Sequence, residues 1–306
     1  MTPRRWLCVM VGGLLGMAVL LAGCDAATGD EATPTVSPVA VRVWPSATVL
    51  PLLPTRDSFG APAIGFSNPT QARMAAEGQP DEAPPTRTPE PTAVSLGLRL
   101  PVGSGIDLQA TYYTAPLRPT PGVLLVHMAG RDRTSWEPLA NRLQAEGYIV
   151  LTVDLRGHGE SEGSVDWAQT QDDLRAVLDE FAGYSGVDAS QLIVIGAGEG
   201  ANLALNVCVD RAGCAAAVLL SPQVDYHGIT TPGAMARRGD RPVLILASEN
   251  DGRNPADSQT LDNAAIGDHR LIIYPTGHGT DILTAHPDAV ATITVWVRER
   301  VPPPTT

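Results

Sequence analysis

The sequence of 306 residues contains no lysine, so all 21 of its basic side chains are arginines. This absence excludes catalysis through a lysine Schiff base, a lysine general base and the lysine of a phosphate-binding loop. Acidic side chains number 33, and the formal net charge of −12 argues against nucleic acid as a partner, because phosphate backbones bind positively charged surfaces. Hydrophobic residues make up 43% of the chain, which is enough for one large domain or two small ones.

The N-terminus has the composition of an export signal. Arg4 and Arg5 precede an apolar stretch, 7–21, that is too short to span a bilayer comfortably. The stretch ends in Leu21-Ala22-Gly23-Cys24, which resembles the lipobox of bacterial lipoproteins, where the cysteine is acylated and the chain is cut just before it. The resemblance implies a signal peptide at 1–23 and an exported protein attached to a lipid bilayer through Cys24. A signal-anchor helix with an incidental Cys24 is the alternative.

The remaining cysteines favour a disulfide over a metal site. Cys208 and Cys214 are six residues apart, and in an exported protein this spacing is compatible with a short-loop disulfide. Two free buried thiols are the alternative. The sequence has no Cys-x-x-Cys pair and no cluster of histidines, so we expect neither a metal nor another cofactor.

Composition divides the exported chain into three parts. Residues 24–93 are rich in Pro, Thr and Ala and predict an extended tether without a core of its own. Residues 94–300 change to short apolar runs separated by helical periods, and predict a single domain. Residues 301–306 form a short tail. The oligomeric state is left open.

The sequence of residues 94–300 predicts an α/β architecture. Two β-rich runs, 94–102 and 106–113, flank Gly103-Ser104-Gly105 and predict an antiparallel hairpin. Apolar runs without alternation then alternate with helical stretches, which is typical of strands buried on both faces of a mainly parallel, doubly wound sheet. These runs are 123–126, 148–153, 192–195, 215–220, 243–246 and 271–274, and the helical stretches are 136–146, 170–184, 201–209, 257–265 and 287–300.

Residues that can support chemistry follow the strands of this sheet. Ligands of open α/β sheets bind beyond the carboxyl ends of the strands. The segments that follow the strands contain His127-Met128, Gly196-Ala197-Gly198-Glu199-Gly200, Ser221, Asp251 and His278. This ordered set resembles the α/β-hydrolase family, and within it the dienelactone-hydrolase-like and serine esterase-peptidase branches.

The resemblance implies a role for each of these residues. Asp251 matches the catalytic acid and His278 the catalytic base, in the family's order of elbow, acid and histidine. The backbone N–H groups of Met128 and Glu199 match the oxyanion hole. We expect His127 to hold backbone at a loop end, and Ser221 to form a wall of the pocket.

Gly198 departs from the family pattern, because it stands where the nucleophilic serine of G-x-S-x-G is found. Glycine has no side chain that can attack a substrate, and it adopts the positive φ of the elbow without strain. No serine, cysteine or aspartate lies between Gly196 and Asn202 to replace it. Glu199 is expected to point away from the nucleophile position and to interact with the helix dipole.

Three functions are compatible with this sequence. The first is a membrane-anchored α/β-hydrolase-fold lipoprotein that lacks serine-dependent acyl transfer and retains a ligand pocket with a His278–Asp251 pair. The second is an active hydrolase in which this pair activates water on an ester or related small substrate. The third is nucleotide binding, since Gly196, Gly198 and Ala201 satisfy a relaxed G-x-G-x-x-A pattern. That motif normally belongs to the first βα unit, whereas here it comes late in the domain.

Overall fold

The computed structural model describes residues 94–305. The predicted signal peptide, the acylation site at Cys24 and the tether up to residue 93 lie outside these residues. Within 94–305, no helix is both long enough and apolar enough to cross a membrane.

A single sheet of eight strands forms the centre of the domain, in the spatial order β1-β2-β4-β3-β5-β6-β9-β10. The first two strands form the predicted antiparallel hairpin, and β2 also runs antiparallel to β4; all other neighbours are parallel. The strands are β1 (Ser95–Pro101), β2 (Asp107–Tyr113), β3 (Thr120–Val126), β4 (Ile149–Val153), β5 (Val187–Ala197), β6 (Cys214–Leu220), β9 (Val243–Ser248) and β10 (His269–Tyr274).

Apolar side chains on both faces explain why these strands form the middle layer. Successive residues of a strand point to opposite faces. In β3, Leu124 and Val126 pack into one apolar cluster, while Val123 and Leu125 pack into the other. All four side chains are fully buried, as the unbroken apolar run predicts.

Helices cover both faces of the sheet. Buried residues of α1 and α7 belong to one apolar cluster, and those of α2, α3 and α5 belong to the other. The helices are α1 (Glu137–Ala145), α2 (Trp167–Ala182), α3 (Glu199–Asp210), α4 (Pro232–Arg237), α5 (Asn254–Ala264), α6 (Asp281–Ala285) and α7 (Asp288–Arg300), with a 3-10 turn at Arg133–Trp136 before α1. Asp166 caps α2, because its side chain accepts the N–H of Gln169 over 3.1 Å.

The structure contains small elements that the sequence patterns do not predict. Between β6 and β9 the chain forms a hairpin of β7 (Asp225–Tyr226) and β8 (Ile229–Thr230), followed by α4. Two-residue strands and a six-residue helix are too short to show a hydrophobic period. This hairpin contributes side chains to the site described below.

A disulfide joins the end of α3 to the start of β6. The bond connects Cys208 with Cys214 and closes the short turn between these two elements. Both cysteines are buried. In the structure the pair is therefore bonded, and the alternative of two free thiols does not apply to it.

Candidate active site

A sharp turn between β5 and α3 forms the centre of the candidate site. β5 ends at Ala197, α3 begins at Glu199, and Gly198 between them has φ 53° and ψ −123°. The N–H of Gly198 donates to the carbonyl of Leu220 over 2.9 Å, which ties the turn to the neighbouring strand β6. Side chains rarely adopt this positive φ, so the glycine keeps the turn unstrained. Gly198 therefore occupies the elbow position that the sequence assigns to it.

Asp251 and His278 meet beside this turn. Asp251 follows β9 and His278 follows β10, and because these strands are parallel neighbours, their carboxyl ends lie together. The Nδ1 atom of His278 is 2.9 Å from both carboxylate oxygens of Asp251. A Cβ atom at Gly198 would lie 3.3 Å from Nε2 of His278, on the other side of the ring. The imidazole thus faces the empty side-chain position of Gly198 with the nitrogen that does not contact the acid.

Ser221 supports this pair and does not line the pocket. The expectation that Ser221 forms a wall of the pocket is wrong, because its side chain is fully buried. Its hydroxyl donates to Oδ2 of Asp251 over 2.7 Å and accepts the N–H of Gly279 over 3.0 Å. Ser221 has φ 51°, a strained conformation for a residue with a side chain. The serine joins the loop that bears the acid to the loop that bears the histidine.

His127 fixes the loop after β3. Its Nε2 accepts the N–H of Leu155 over 2.9 Å, so its Nδ1–H donates to the carbonyl of Met128 at 2.8 Å. Burial lowers the pKa of His127. A neutral, fully buried ring in this position holds backbone at a loop end, and the geometry agrees with the structural role expected from the sequence.

Glu199 points toward the site, where the sequence argument expects it to point away. Its Oε2 accepts the N–H of Ala129 over 3.1 Å, and its Oε1 lies 3.7 Å from Nε2 of His227. These two contacts hold the carboxylate across the start of α3 instead of letting it extend into solvent. The Ala129 N–H, in the loop after β3, is thus paired with a carboxylate, and the oxyanion role expected for the N–H groups of Met128 and Glu199 stays a prediction.

Met128 contributes its side chain to the site. The side chain is buried, and a Cβ atom at Gly198 would lie only 2.8 Å from Cβ of Met128. A Cβ at Gly279 would overlap the Met128 sulfur. The Met128 side chain therefore fills the space between the elbow and the loop that bears His278. The role expected from the sequence concerns only the backbone N–H of this residue.

Four further residues of the site have no signal in the sequence patterns. The ring of His227, at the tip of the β7–β8 hairpin, stacks on Trp167 with a centroid distance of 5.1 Å and an interplanar angle of 4°. Nδ2 of Asn254 lies 3.5 Å from the hydroxyl of Tyr226 and 3.4 Å from Nδ1 of His278. Burial, together with the charges of Glu199 and nearby aspartates, raises the pKa of Tyr226 to about 12.

The described part of the chain shows no cluster of metal-ligating side chains, and the start of α3 is unfavourable for the pyrophosphate of a dinucleotide. Among residues 94–305, no group of three or more His, Cys, Asp or Glu side chains is placed to hold a metal ion. Dinucleotide-binding folds place a pyrophosphate at the N-terminus of the helix that follows the glycine motif. Here Glu199 places a carboxylate at the start of α3, and a second anion would be repelled.

Comparison with known proteins gives the class of this fold. The family described as serine aminopeptidase, S33, matches residues 118–240. An uncharacterized protein of Mycobacterium tuberculosis is 30% identical over 177 residues, which is 52% of this chain and 63% of that protein. Human monoglyceride lipase is 28% identical over 190 residues, which is 60% of each protein. The chain thus spans less than two thirds of the length of these two relatives.

Solved structures agree with the family match. An esterase of Pyrococcus furiosus superposes with a TM-score of 0.59 at 15% identity, over 68% of this chain and 92% of that one. The carboxylesterase EstE1, cloned from a metagenomic library, gives a TM-score of 0.56 at 18% identity, over 69% of this chain and 90% of that one. The domain has the α/β-hydrolase fold.

Proposed function

We propose that this protein is a lipid-anchored member of the α/β hydrolases that has lost serine-dependent acyl transfer and retains a ligand site beside the His278–Asp251 pair. One observation supports the loss above all others. The elbow residue Gly198 has no side chain at the point, 3.3 Å from Nε2 of His278, where a nucleophile would begin. Covalent acyl transfer needs an oxygen or sulfur nucleophile within reach of its base.

The same geometry defines the second candidate, hydrolysis by an activated water. His278 is hydrogen-bonded to Asp251 through Nδ1, and its Nε2 faces the position left free by Gly198. An imidazole held in this way acts as a general base when its free nitrogen reaches a proton on water. The two candidates differ in whether the unmodified protein turns over esters, and an assay distinguishes them.

We expect the detergent-solubilised full chain to hydrolyse p-nitrophenyl butyrate only at a low background rate, which His278→Ala leaves within about threefold. Sites without a nucleophile retain about 10³–10⁴-fold catalysis over water through their other groups, so a weak rate agrees with this expectation. The rate of p-nitrophenol release measures it. Substantial turnover that His278→Ala abolishes, and that serine-directed phosphonates do not inhibit, would instead support water activation.

The proposed anchor is tested by labelling. We expect cells that produce the full chain to incorporate a palmitate analogue into it, and Cys24→Ala to abolish both the label and the membrane association, because this thiol is the proposed acylation site. Cys8→Ala is the matched control and should keep both, since Cys8 lies within the proposed signal peptide. Membrane fractionation and gel fluorescence give the readout. Label retained in Cys24→Ala would contradict the anchor.

A further inference from the structure

We propose that Glu199 and Met128 close this site to acyl substrates independently of the missing hydroxyl at Gly198. Glu199 places its carboxylate on an N–H of the loop after β3, and the Cβ of Met128 crowds the side-chain position of Gly198. This inference rests on the proposed function, since it concerns the same site, but it assigns the loss of acyl chemistry to three positions rather than one.

The Glu199 carboxylate occupies an N–H of the loop after β3, and this loop contributes an oxyanion donor in the α/β-hydrolase fold. Acyl transfer places negative charge on the former carbonyl oxygen, and in this fold that oxygen is received by the N–H after the nucleophile and by an N–H of the loop after β3. In this protein the Ala129 N–H already donates to Oε2 of Glu199 over 3.1 Å. A developing oxyanion would meet both an occupied donor and a neighbouring negative charge.

The carboxylate is held in this position from its other side. Only 13% of the Glu199 side chain is exposed, and its Oε1 lies 3.7 Å from Nε2 of His227. The stacking of His227 on Trp167 places that ring beside Glu199. Glu199 therefore donates no proton but accepts the Ala129 N–H with one oxygen and faces the His227 ring with the other, so it is confined between the two.

Met128 excludes a side chain at the elbow by contact. A Cβ at Gly198 would lie 2.8 Å from Cβ of Met128, closer than such atoms approach in proteins. The Met128 Cβ is bonded directly to its backbone, so a change of rotamer does not move it away. A serine at position 198 therefore requires a shift of the loop after β3, which also bears the Ala129 N–H.

The reaction tested is ordinary acyl transfer. In Gly198→Ser, the introduced hydroxyl would attack the ester carbonyl and pass its proton to Nε2 of His278. The bond to the p-nitrophenyl oxygen would then break, and the imidazolium would return the proton to the departing p-nitrophenolate. Water would then attack the acyl group with the same imidazole as base, which releases butyric acid and restores the hydroxyl. Both steps develop negative charge on the carbonyl oxygen, and we expect the Glu199 carboxylate to disfavour that charge.

The experiment compares three full-chain variants on p-nitrophenyl butyrate: Gly198→Ser alone, Gly198→Ser with Met128→Gly, and these two changes with Glu199→Ala. We expect Gly198→Ser alone to stay within about tenfold of the unmodified protein. The triple variant should exceed it by about 100-fold, the typical effect of one oxyanion donor. The matched control is a triple variant that carries Glu249→Ala in place of Glu199→Ala. Glu249 is exposed, so this change removes one negative charge away from the Ala129 N–H and should give no such gain.

Two results would overturn the inference: Gly198→Ser alone as active as the triple variant, or the Glu249→Ala control as active as Glu199→Ala. Glu199→Ala alone provides a test that does not strain the elbow. It should gain a thermal shift with sodium butyrate, whereas the unmodified protein should show none, and equal shifts in both would also overturn the inference. Turnover by the unmodified protein reports separately on the proposed function.

Discussion

Asp173→Ala is expected to lower the free energy of unfolding by roughly 3–5 kcal/mol, the typical cost of removing one partner of a buried ion pair. Arg156 donates to Asp173 through Nε, at 2.6 Å from Oδ2, and through Nη2, at 3.0 Å from Oδ1. Only 6% of the arginine side chain and 5% of the aspartate side chain are exposed. Without the carboxylate, the guanidinium would stay buried beside uncharged partners, Ser104 and Gln169.

The neighbouring residue of α2 is the control. Asp172 pairs with Arg175 over 2.6 Å, but 78% of its side chain is exposed. Exposed pairs contribute about 0–1 kcal/mol, so Asp172→Ala should leave stability almost unchanged. Urea unfolding of both variants gives the comparison. Equal losses in the two would mean that the Arg156–Asp173 pair is not buried as the structure describes.

Gly200→Ala is expected to destabilise the protein by about 3 kcal/mol, the upper end of the usual cost of overpacking. Gly200 lies in the first turn of α3, where a Cβ would overlap the carbonyl oxygens of Val126 and His127. These atoms belong to backbone at the end of β3, which cannot rotate away. The helix would have to separate from the strand, and the elbow at Gly198 would move with it.

Gly233→Ala in α4 is the matched change. A Cβ there meets only the end of the Arg237 side chain, at 3.4 Å. Alanine favours a helix over glycine by up to about 1 kcal/mol, so this variant should be neutral or more stable. Thermal and urea unfolding measure both glycine variants. A Gly200→Ala protein as stable as Gly233→Ala would contradict the close approach of α3 to β3.

The order along the chain of the eight sheet strands and of the longer helices follows from the sequence, because each of them shows a hydrophobic pattern of its own. The unbroken apolar run at 123–126 predicts a strand buried on both faces, and β3 is such a strand. The β7–β8 hairpin and α4 could not be predicted in the same way. Each is stabilised by contacts with other elements, such as the bond of Asn202 Nδ2 to the Ile229 carbonyl at 2.7 Å.

The sequence by itself determined that Gly198, Asp251 and His278 follow three strands of one parallel sheet. Since the carboxyl ends of parallel strands share one edge, their meeting follows from their places in the chain. Only the tertiary structure decided that Glu199 points toward the site and that Ser221 is buried against Asp251. It also decided that Tyr226 and His227 belong to the site. These contacts involve backbone amides and aromatic rings of loops that are distant in the sequence. Buried polar side chains form hydrogen bonds with whichever groups the folded loops place next to them. The hydrophobic periodicity of the sequence does not depend on these partners, so it could not predict the contacts.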